Sequence, residues 1–338
     1  VSDLDFFCSP IGLGHATRDI AIAENFRDIS LKFITGSSAA KIIQSSKFDV
    51  EDLYYPPSFS VNNGFLKNRI RWLWSYYQYY KECKKISYKI IHNKSPCLIV
   101  SDEDFASLIV AQEEKIPTVL ITDILETHFV NGIGSIMEKK MNKSMQSIIQ
   151  KCDTVILPET GDDEGNIRRV GPIVRQTQYS REALRKKFSF EKKTILVSIG
   201  GTDAGLFLIE RVLDVIPKLG QDVDVVIVSG PSLGKKFGKN ARDLGFVDNL
   251  HEIIFASDLI VSLAGKSTID ESKAYGTPGI FIPIKGHFEQ EDNAREEGYR
   301  FDDIFRLKEL ITKKLGHERK PLATDGARKA AELIRKII

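Results

Sequence analysis

His15 ends the stretch Gly12-Leu13-Gly14-His15, which follows a short apolar run and opens a helical pattern. An imidazole at a helix start beside a glycine turn can take a proton near neutral pH. The positive end of the helix would favour its neutral form. Asp102 follows the apolar run 97–101, and Asp123 follows 118–122. A carboxylate beside the imidazole would fix its tautomer and stabilise the cation formed on proton transfer. His15, Asp102 and Asp123 are therefore the candidate catalytic residues, a general base with its orienting carboxylates. Each also has a purely structural reading. His15 could bond a neighbouring loop, and Ser101 or Asp102 could cap the helix through Ala106–Gln112. The carboxylates of Asp102-Glu103-Asp104 also have the D-x-D spacing of a divalent-metal motif, but three residues are weak evidence and no metal is expected.

Gly12 and Gly14 let the backbone approach a ligand at a helix N-terminus suited to an anion, with Arg18 one turn further on. This is not a good dinucleotide turn. Thr17 replaces the third glycine of G-x-G-x-x-G, and the second strand ends without an acid for a ribose hydroxyl. A second glycine turn, Gly200-Gly201-Thr202, follows the run 194–199 and makes another nest of backbone amides. A third, Ala264-Gly265, follows 259–263. Lys266, Ser267 and Thr268 then open a helix, where amides and hydroxyls suit a diphosphate. Glu271, one turn on, could accept from both hydroxyls of a ribose. Beyond the run 279–283 come Gly286, His287, Glu289, Gln290, Asp292 and Asn293, whose mixed donors and acceptors suit a sugar.

The elements that must hold these residues alternate along the chain. Apolar runs at 5–9, 31–35, 97–101, 118–122 and 154–157, and again at 194–199, 224–229, 259–263 and 279–283, read as buried parallel strands with helices between. That pattern predicts two doubly wound α/β domains facing a cleft, with ligands beyond the carboxyl ends of the strands. The glycine- and charge-rich stretch 158–193 places the boundary, giving domains 1–165 and 166–338. The tail 324–338 reads as an amphipathic helix, with Ala327, Ala331, Leu333 and Ile334 on its apolar face.

Composition narrows the class. The 338 residues carry 48 basic and 46 acidic side chains, a net charge of +2 that is too balanced for a protein that coats nucleic acid. The four cysteines form no C-x-x-C pair, which suits a reducing compartment and argues against a zinc ribbon. No apolar run approaches a membrane span, and no signal peptide is expected, so the chain is read as cytoplasmic. The segment 66–85 needs comment. On a helix, Leu66, Ile70, Leu73, Tyr77 and Tyr80 form one stripe, and Trp72, Tyr76, Tyr79 and Cys83 a second, flanked by Arg69, Arg71, Lys81, Lys84 and Lys85. One stripe serves a core. Aromatic residues beside basic ones also suit a membrane interface and a lipid-linked ligand, so peripheral attachment at the inner face of the membrane accompanies the reading. Burial of both stripes is the alternative. Met137, Met141 and Met145 form a further stripe beside Lys139, Lys140 and Lys143, with core and acceptor roles both open.

The stretch 262–294 resembles the donor-binding half of GT-B glycosyltransferases, and the chain is most similar to MurG-type (family 28) N-acetylglucosaminyltransferases and their archaeal relatives. Gly12-Leu13-Gly14-His15-Ala16-Thr17-Arg18 resembles the N-terminal loop of the same enzymes. The resemblance implies two Rossmann-like domains, a UDP-sugar co-substrate and no required metal or cofactor. It implies that Glu271 binds the ribose, that Gly265, Ser267 and Thr268 hold the diphosphate, and that Glu289, Gln290 and Asn293 meet the donor sugar. Phe246 would lie by the base, and His15 matches the catalytic base. Lys266 and Ser267 depart from the small or apolar residues usual there. Glu291-Asp292 is more acidic than the pattern and leaves the sugar open. The expected activity is inverting, metal-independent transfer of a hexose or N-acetylhexosamine. Alternatives on a similar fold are a nucleotide-sugar hydrolase with His15 activating water, an epimerase drawing on His287 and Glu289, and a non-catalytic binder.

Overall fold

The computed structural model describes residues 3–26, 28–94, 96–128, 134–201, 203–220, 222–230, 237 and 241–338. In chain order its strands are β1 (Asp3–Cys8), β2 (Ser30–Thr35), β3 (Asp49–Asp52), β4 (Ser60–Asn62), β5 (Phe65–Lys67), β6 (Ile99–Asp102) and β7 (Thr118–Ile121). They continue with β8 (Thr154–Leu157), β9 (Ile167–Arg169), β10 (Lys193–Ser198), β11 (Val223–Val228), β12 (Arg242–Asp243), β13 (Leu259–Leu263) and β14 (Gly279–Ile282). Every run read as a buried strand is one. The chain forms two compact units, each built on a parallel sheet.

The first unit comprises Val1–Ser58, Asn68–Val174 and Thr324–Ile338. Its sheet runs β3-β2-β1-β6-β7-β8-β9. Helices cover both faces, so the inner strands bury Phe6, Phe33, Val100, Leu120 and Ile156 completely. Strand order reverses between β1 and β6, which pair in parallel with Cys8 opposite Asp102. The second unit comprises Phe59–Lys67 and Arg175–Ala323. Its sheet runs β12-β11-β10-β13-β14 and reverses between β10 and β13, with Ser198 opposite Ser262.

The units are not cut by one boundary at 165/166. β9 extends the first sheet by pairing with β8, Val155 opposite Ile167, so the first unit keeps the chain to Val174. The tail helix Gly326–Arg335 also belongs to the first unit. Gly326 lies so close to Pro172 that an added Cβ would fall 2.5 Å from its carbonyl oxygen, and Arg335 pairs with Asp28. Conversely, the hairpin β4–β5 packs in the second unit. The Leu66 amide donates to the Lys285 carbonyl at 2.9 Å, the Lys285 amide to that of Gly64 at 2.8 Å, and Phe65 meets Phe301 at 5.1 Å. Leu66 is therefore a strand residue, and the aromatic helix begins at Arg69 and runs to Lys94.

On that helix the second stripe faces inward. Trp72 stacks on Tyr76 at 5.3 Å, Tyr76 leans on Tyr79, Tyr79 meets the buried Tyr54, and Cys83 is buried. Tyr80 joins that packing and Leu73 is buried, while Ile70, Trp74 and Tyr77 are exposed. Burial thus takes one and a half stripes and leaves a narrow apolar strip in water. Met145 is a core residue beside Ile148, Ile149 and Leu120. Met141 is half-buried, and the Met137 side chain lies outside the described residues.

Candidate active site

In an open parallel sheet the loops leaving two neighbouring strands diverge where strand order reverses, and a crevice opens there. In the first unit those loops leave β1 and β6. The β1 loop carries Gly12, whose φ of +86° explains the glycine, and leads into the helix Gly14–Ala23. His15 is the second residue of that helix, with its side chain 16% exposed. Its Nδ1 lies 2.8 Å from Oδ1 of Asp102, the last residue of β6. The expected imidazole–carboxylate pair is therefore present.

Its electrostatics differ from expectation. Burial opposes a charge on His15, but Asp102 and then Glu103 outweigh it, and the imidazole pKa is pushed up to about 10. The helix N-terminus, which favours the neutral ring, does not prevail, because a full carboxylate in contact exceeds a partial charge on backbone amides. At neutral pH the resting ring holds its proton. Burial also penalises the charge of Asp102, but Arg18 and His15 hold its carboxyl below the usual range.

Arg18 is not a loop residue facing a ligand. One turn after His15, and 3% exposed, it grips Asp102 bidentately, Nε to Oδ2 at 2.7 Å and Nη2 to Oδ1 at 2.5 Å. Its Nη1 lies 3.4 Å from Asp123 Oδ2. Asp123 thus acts on Arg18 and on Glu103, while Asp102 orients His15. Asp19, wholly buried beside Asp102, is pushed well above the usual carboxyl range by burial and by that neighbour.

Glu103 was not singled out from the sequence. Its φ is +54°, and its Oε1 accepts from Thr122 Oγ1 at 2.9 Å and from the Asp123 amide at 3.2 Å. Its Oε2 lies 3.7 Å from His15 Nε2. Nothing in residue type or spacing signals that turn of the backbone. Asp104 has a different task from its neighbours. It is the true cap of the helix Phe105–Glu113, accepting from the Ala106 amide, and it also accepts from the Tyr54 hydroxyl at 3.0 Å. The three acids diverge, and among the described residues no group of three or more His, Cys, Asp or Glu side chains is arranged to hold a metal.

In the second unit the reversal lies between β10 and β13. Gly200, at φ +75°, and Gly201 leave β10, and Thr202 lies outside the described residues. Gly201 runs so close to Gly230 that an added Cβ on the latter would fall 2.8 Å from its carbonyl carbon. From β13, Ala264 leads to Gly265, which caps the helix Lys266–Tyr275 without a side-chain bond. The amides of Lys266, Ser267 and Thr268 lie on the first turn of that helix, the end at which backbone N–H groups point outward. Lys266 bends along the helix to pair with buried Asp270, so its ammonium does not face the turn as a phosphate ligand.

Glu271 is buried within the same helix, and burial lifts its carboxyl to about 8, with Arg175 opposing and Asp270 adding to the rise. Gln290 and Asn293 brace the neighbouring turns. Gln290 Oε1 accepts from the Ile284 amide at 3.0 Å, and Asn293 Nδ2 donates to the Ala264 carbonyl at 3.1 Å. Glu291 accepts from the Gly286 amide at 3.1 Å, and Glu289 lies half-buried on the same first turn. Phe246 is half-buried just beyond β12. His287 is buried, its ring 5.2 Å from that of Phe59, and burial lowers its pKa to about 4. It is a packing residue and a poor partner for the acid–base pair that epimerisation requires.

A parallel sheet in each unit, with one reversal per sheet, is the architecture of the GT-B glycosyltransferases. The crystal structure of the glycotransferase of kitacinnamycin covers 99% of both chains at a TM-score of 0.69 and 14% identity. A Streptomyces sp. SF2575 glycosyltransferase complexed with thymidine diphosphate covers 99% of this chain and 96% of its own at 0.65 and 12% identity. The chain has the GT-B fold. Within it, residues 194–318 match the glycosyltransferase family 28 C-terminal domain. An uncharacterized glycosyltransferase of Methanopyrus kandleri is 28% identical over 61% of this chain and 62% of its own length. The UDP-N-acetylglucosamine–N-acetylmuramyl-(pentapeptide) pyrophosphoryl-undecaprenol N-acetylglucosamine transferase of Aquifex aeolicus is 30% identical over 54% of this chain and 55% of its own. The chain therefore spans about three fifths of the length of the curated relatives it matches.

Proposed function

We propose that the chain is an inverting glycosyltransferase that moves a hexose or N-acetylhexosamine from a UDP-sugar to an acceptor hydroxyl without a required metal. The observation that carries this reading is the His15–Asp102 pair, 2.8 Å apart at the reversal of the first sheet. Such a pair can take a hydroxyl proton at Nε2 while Asp102 steadies the cation. The family match over 194–318 supports a donor site in the second unit. There the amides of Gly201 and of the first turn after Gly265 are suited to the charge that develops on a departing diphosphate. Glu271, once ionised, can accept from both ribose hydroxyls.

A lipid-linked acceptor at the inner face of the membrane is part of the proposal. It is supported by the undecaprenol-linked acceptor in the name of the Aquifex relative and by the exposed Ile70, Trp74 and Tyr77 beside Arg71 and Lys81. Among the described residues no helix is long and apolar enough to cross a membrane, so contact would be made from one side.

The test is a thermal-shift panel of UDP, GDP, CDP, dTDP and NAD in EDTA, run on the wild type, His15→Ala and Glu271→Ala. A ligand at a hundredfold excess over its Kd stabilises a fold by about 2.7 kcal/mol. UDP should stabilise the wild type and His15→Ala, and should fail to stabilise Glu271→Ala. His15→Ala should lose about a hundredfold or more in sugar transfer. A response to NAD, or none to any diphosphate, overturns the donor reading. Retained anomeric configuration in the product overturns direct displacement.

A further inference from the structure

We propose that Glu103 is the positioning residue that takes the Nε2 proton of His15, so that the imidazole can meet an acceptor hydroxyl without first losing a proton to solvent. The inference rests on the transfer reading for its acceptor, but not for the proton exchange.

Three observations carry it. Nδ1 of His15 is committed to Asp102 at 2.8 Å, so Nε2 is the nitrogen left for chemistry. Glu103 holds a left-handed backbone, φ +54°, that side chains disfavour, and strain of this kind clusters at functional sites. Its carboxyl is held by Oε1, which takes the Thr122 hydroxyl and the Asp123 amide, and by the Asp123 carboxyl beside it, and Oε2 lies 3.7 Å from Nε2. That spacing is an ion-pair distance rather than a hydrogen bond, and a small approach or one bridging oxygen closes it.

The groups around the pair define its proton balance. Asp102 and Glu103 favour the charged ring, against its burial and Arg18. Burial and Asp123 raise the Glu103 carboxyl well above the usual range, against His15 and Arg18. Tyr76, from the helix Arg69–Lys94, is neutral and adds no charge, and Asp19 and Cys8 adjoin Asp102. In the ion-pair form the ring is a cation and Glu103 an anion, and the raised Glu103 carboxyl draws the proton across. The Nε2–H bond breaks, the Oε2–H bond forms, and both charges vanish. As the acceptor oxygen bonds the anomeric carbon, its proton passes to Nε2, and the bond to the diphosphate breaks with its electron pair on the leaving oxygen. Glu103 then releases its proton to water, and the ion-pair form returns.

The test is Glu103→Gln, which keeps the Oε1 acceptor and removes the proton site. Two readouts are taken: the His15 ring titration by nitrogen-15 NMR in the unliganded protein, and the pH profile of kcat/KM. We expect the His15 midpoint to fall by about one pH unit or more in the variant. We also expect a wild-type profile that is level across neutral pH to become one that rises with pH, because the ring must now deprotonate to solvent. Glu103→Gly guards against misfolding, since glycine accepts φ +54° and also removes the carboxyl. It should reproduce both changes. An unchanged His15 midpoint with parallel profiles in either variant overturns the proposal. A wild type that transfers no sugar overturns the transferase reading instead, while the titration still judges the pair.

Discussion

The two sheets reverse in the same way and fill their crevices in opposite ways. At the reversal of the first sheet, side chains converge: His15, Arg18 and Asp102 lie in mutual contact, with Glu103 and Asp123 against them. At the reversal of the second, the described residues of the two loops are backbone and small side chains: Gly200, Gly201, Ala264 and Gly265, then Ser267 and Thr268. Lys266 there is turned back onto Asp270. Moving a proton requires ionisable groups held by fixed partners, because their charges set each other's affinity for it. Holding a diphosphate requires amide donors and room, which glycine supplies. The same fold therefore gives a crowded charged crevice in one unit and an open amide-lined one in the other.

The contrast makes its largest prediction at Arg18. Arg18→Ala takes from the buried Asp102 its bidentate partner and leaves it the single contact to His15, and breaking a buried pair costs about 3–5 kcal/mol. Urea denaturation of the first unit should show that loss. Arg18→Lys should restore only part of it, since an ammonium cannot make the paired contact. A loss below about 1 kcal/mol would break the comparison, because the first crevice would then not be held together by charge.

An intermediate effect is expected at Glu271. Its carboxyl, lifted to about 8, is largely protonated at neutral pH, yet ribose hydroxyls donate to the ionised form. Nucleotide binding should therefore release a proton, and affinity should rise with pH up to about 8 and level above it. The slope approaches tenfold per pH unit well below that value. Titration calorimetry of UDP on the wild type and Glu271→Gln isolates the effect, since the titration of the nucleotide's own phosphate is common to both. Equal slopes would remove Glu271 from the ribose site.

The same difference explains what the sequence discloses. The inner strands are apolar on both faces and could be read directly. The edges β3 (Asp-Val-Glu-Asp), β9 (Ile-Arg-Arg) and β12 (Arg-Asp) could not, because an edge buries little and carries charge. The hairpin had a readable signal in Asn63-Gly64, both at positive φ, the residue pair of a tight β-turn. The helical stripe beginning at Leu66 competes with it. An amphipathic tail shows that it will be buried, but not against which unit. In the site, His15 and Asp102 were legible because each lies at the carboxyl end of a strand that ends at the reversal. Arg18 shares a helix face with His15 three residues earlier, so its convergence on Asp102 was available from spacing. Glu103 was not, because its role depends on a backbone angle that glutamate does not advertise.

The smallest structural effect is the sharpest test of the open crevice. Gly265 has no heavy atom within 4 Å of the position a Cβ would take, and its backbone is extended, with φ −78°. Gly265→Ala therefore meets neither a clash nor backbone strain. Its cost is the weaker helix cap that alanine makes, no more than about 1 kcal/mol. If a diphosphate lies against the amides that follow, the methyl group occupies the approach that glycine leaves open, and UDP affinity should fall about tenfold or more. The first crevice would then lose stability to a substitution and the second only binding. Unchanged UDP affinity in a well-folded Gly265→Ala would mean that the diphosphate does not use this turn. The Gly200–Gly201 nest would then be the turn to test in the second unit, and Gly200, at φ +75°, cannot take the same substitution without strain.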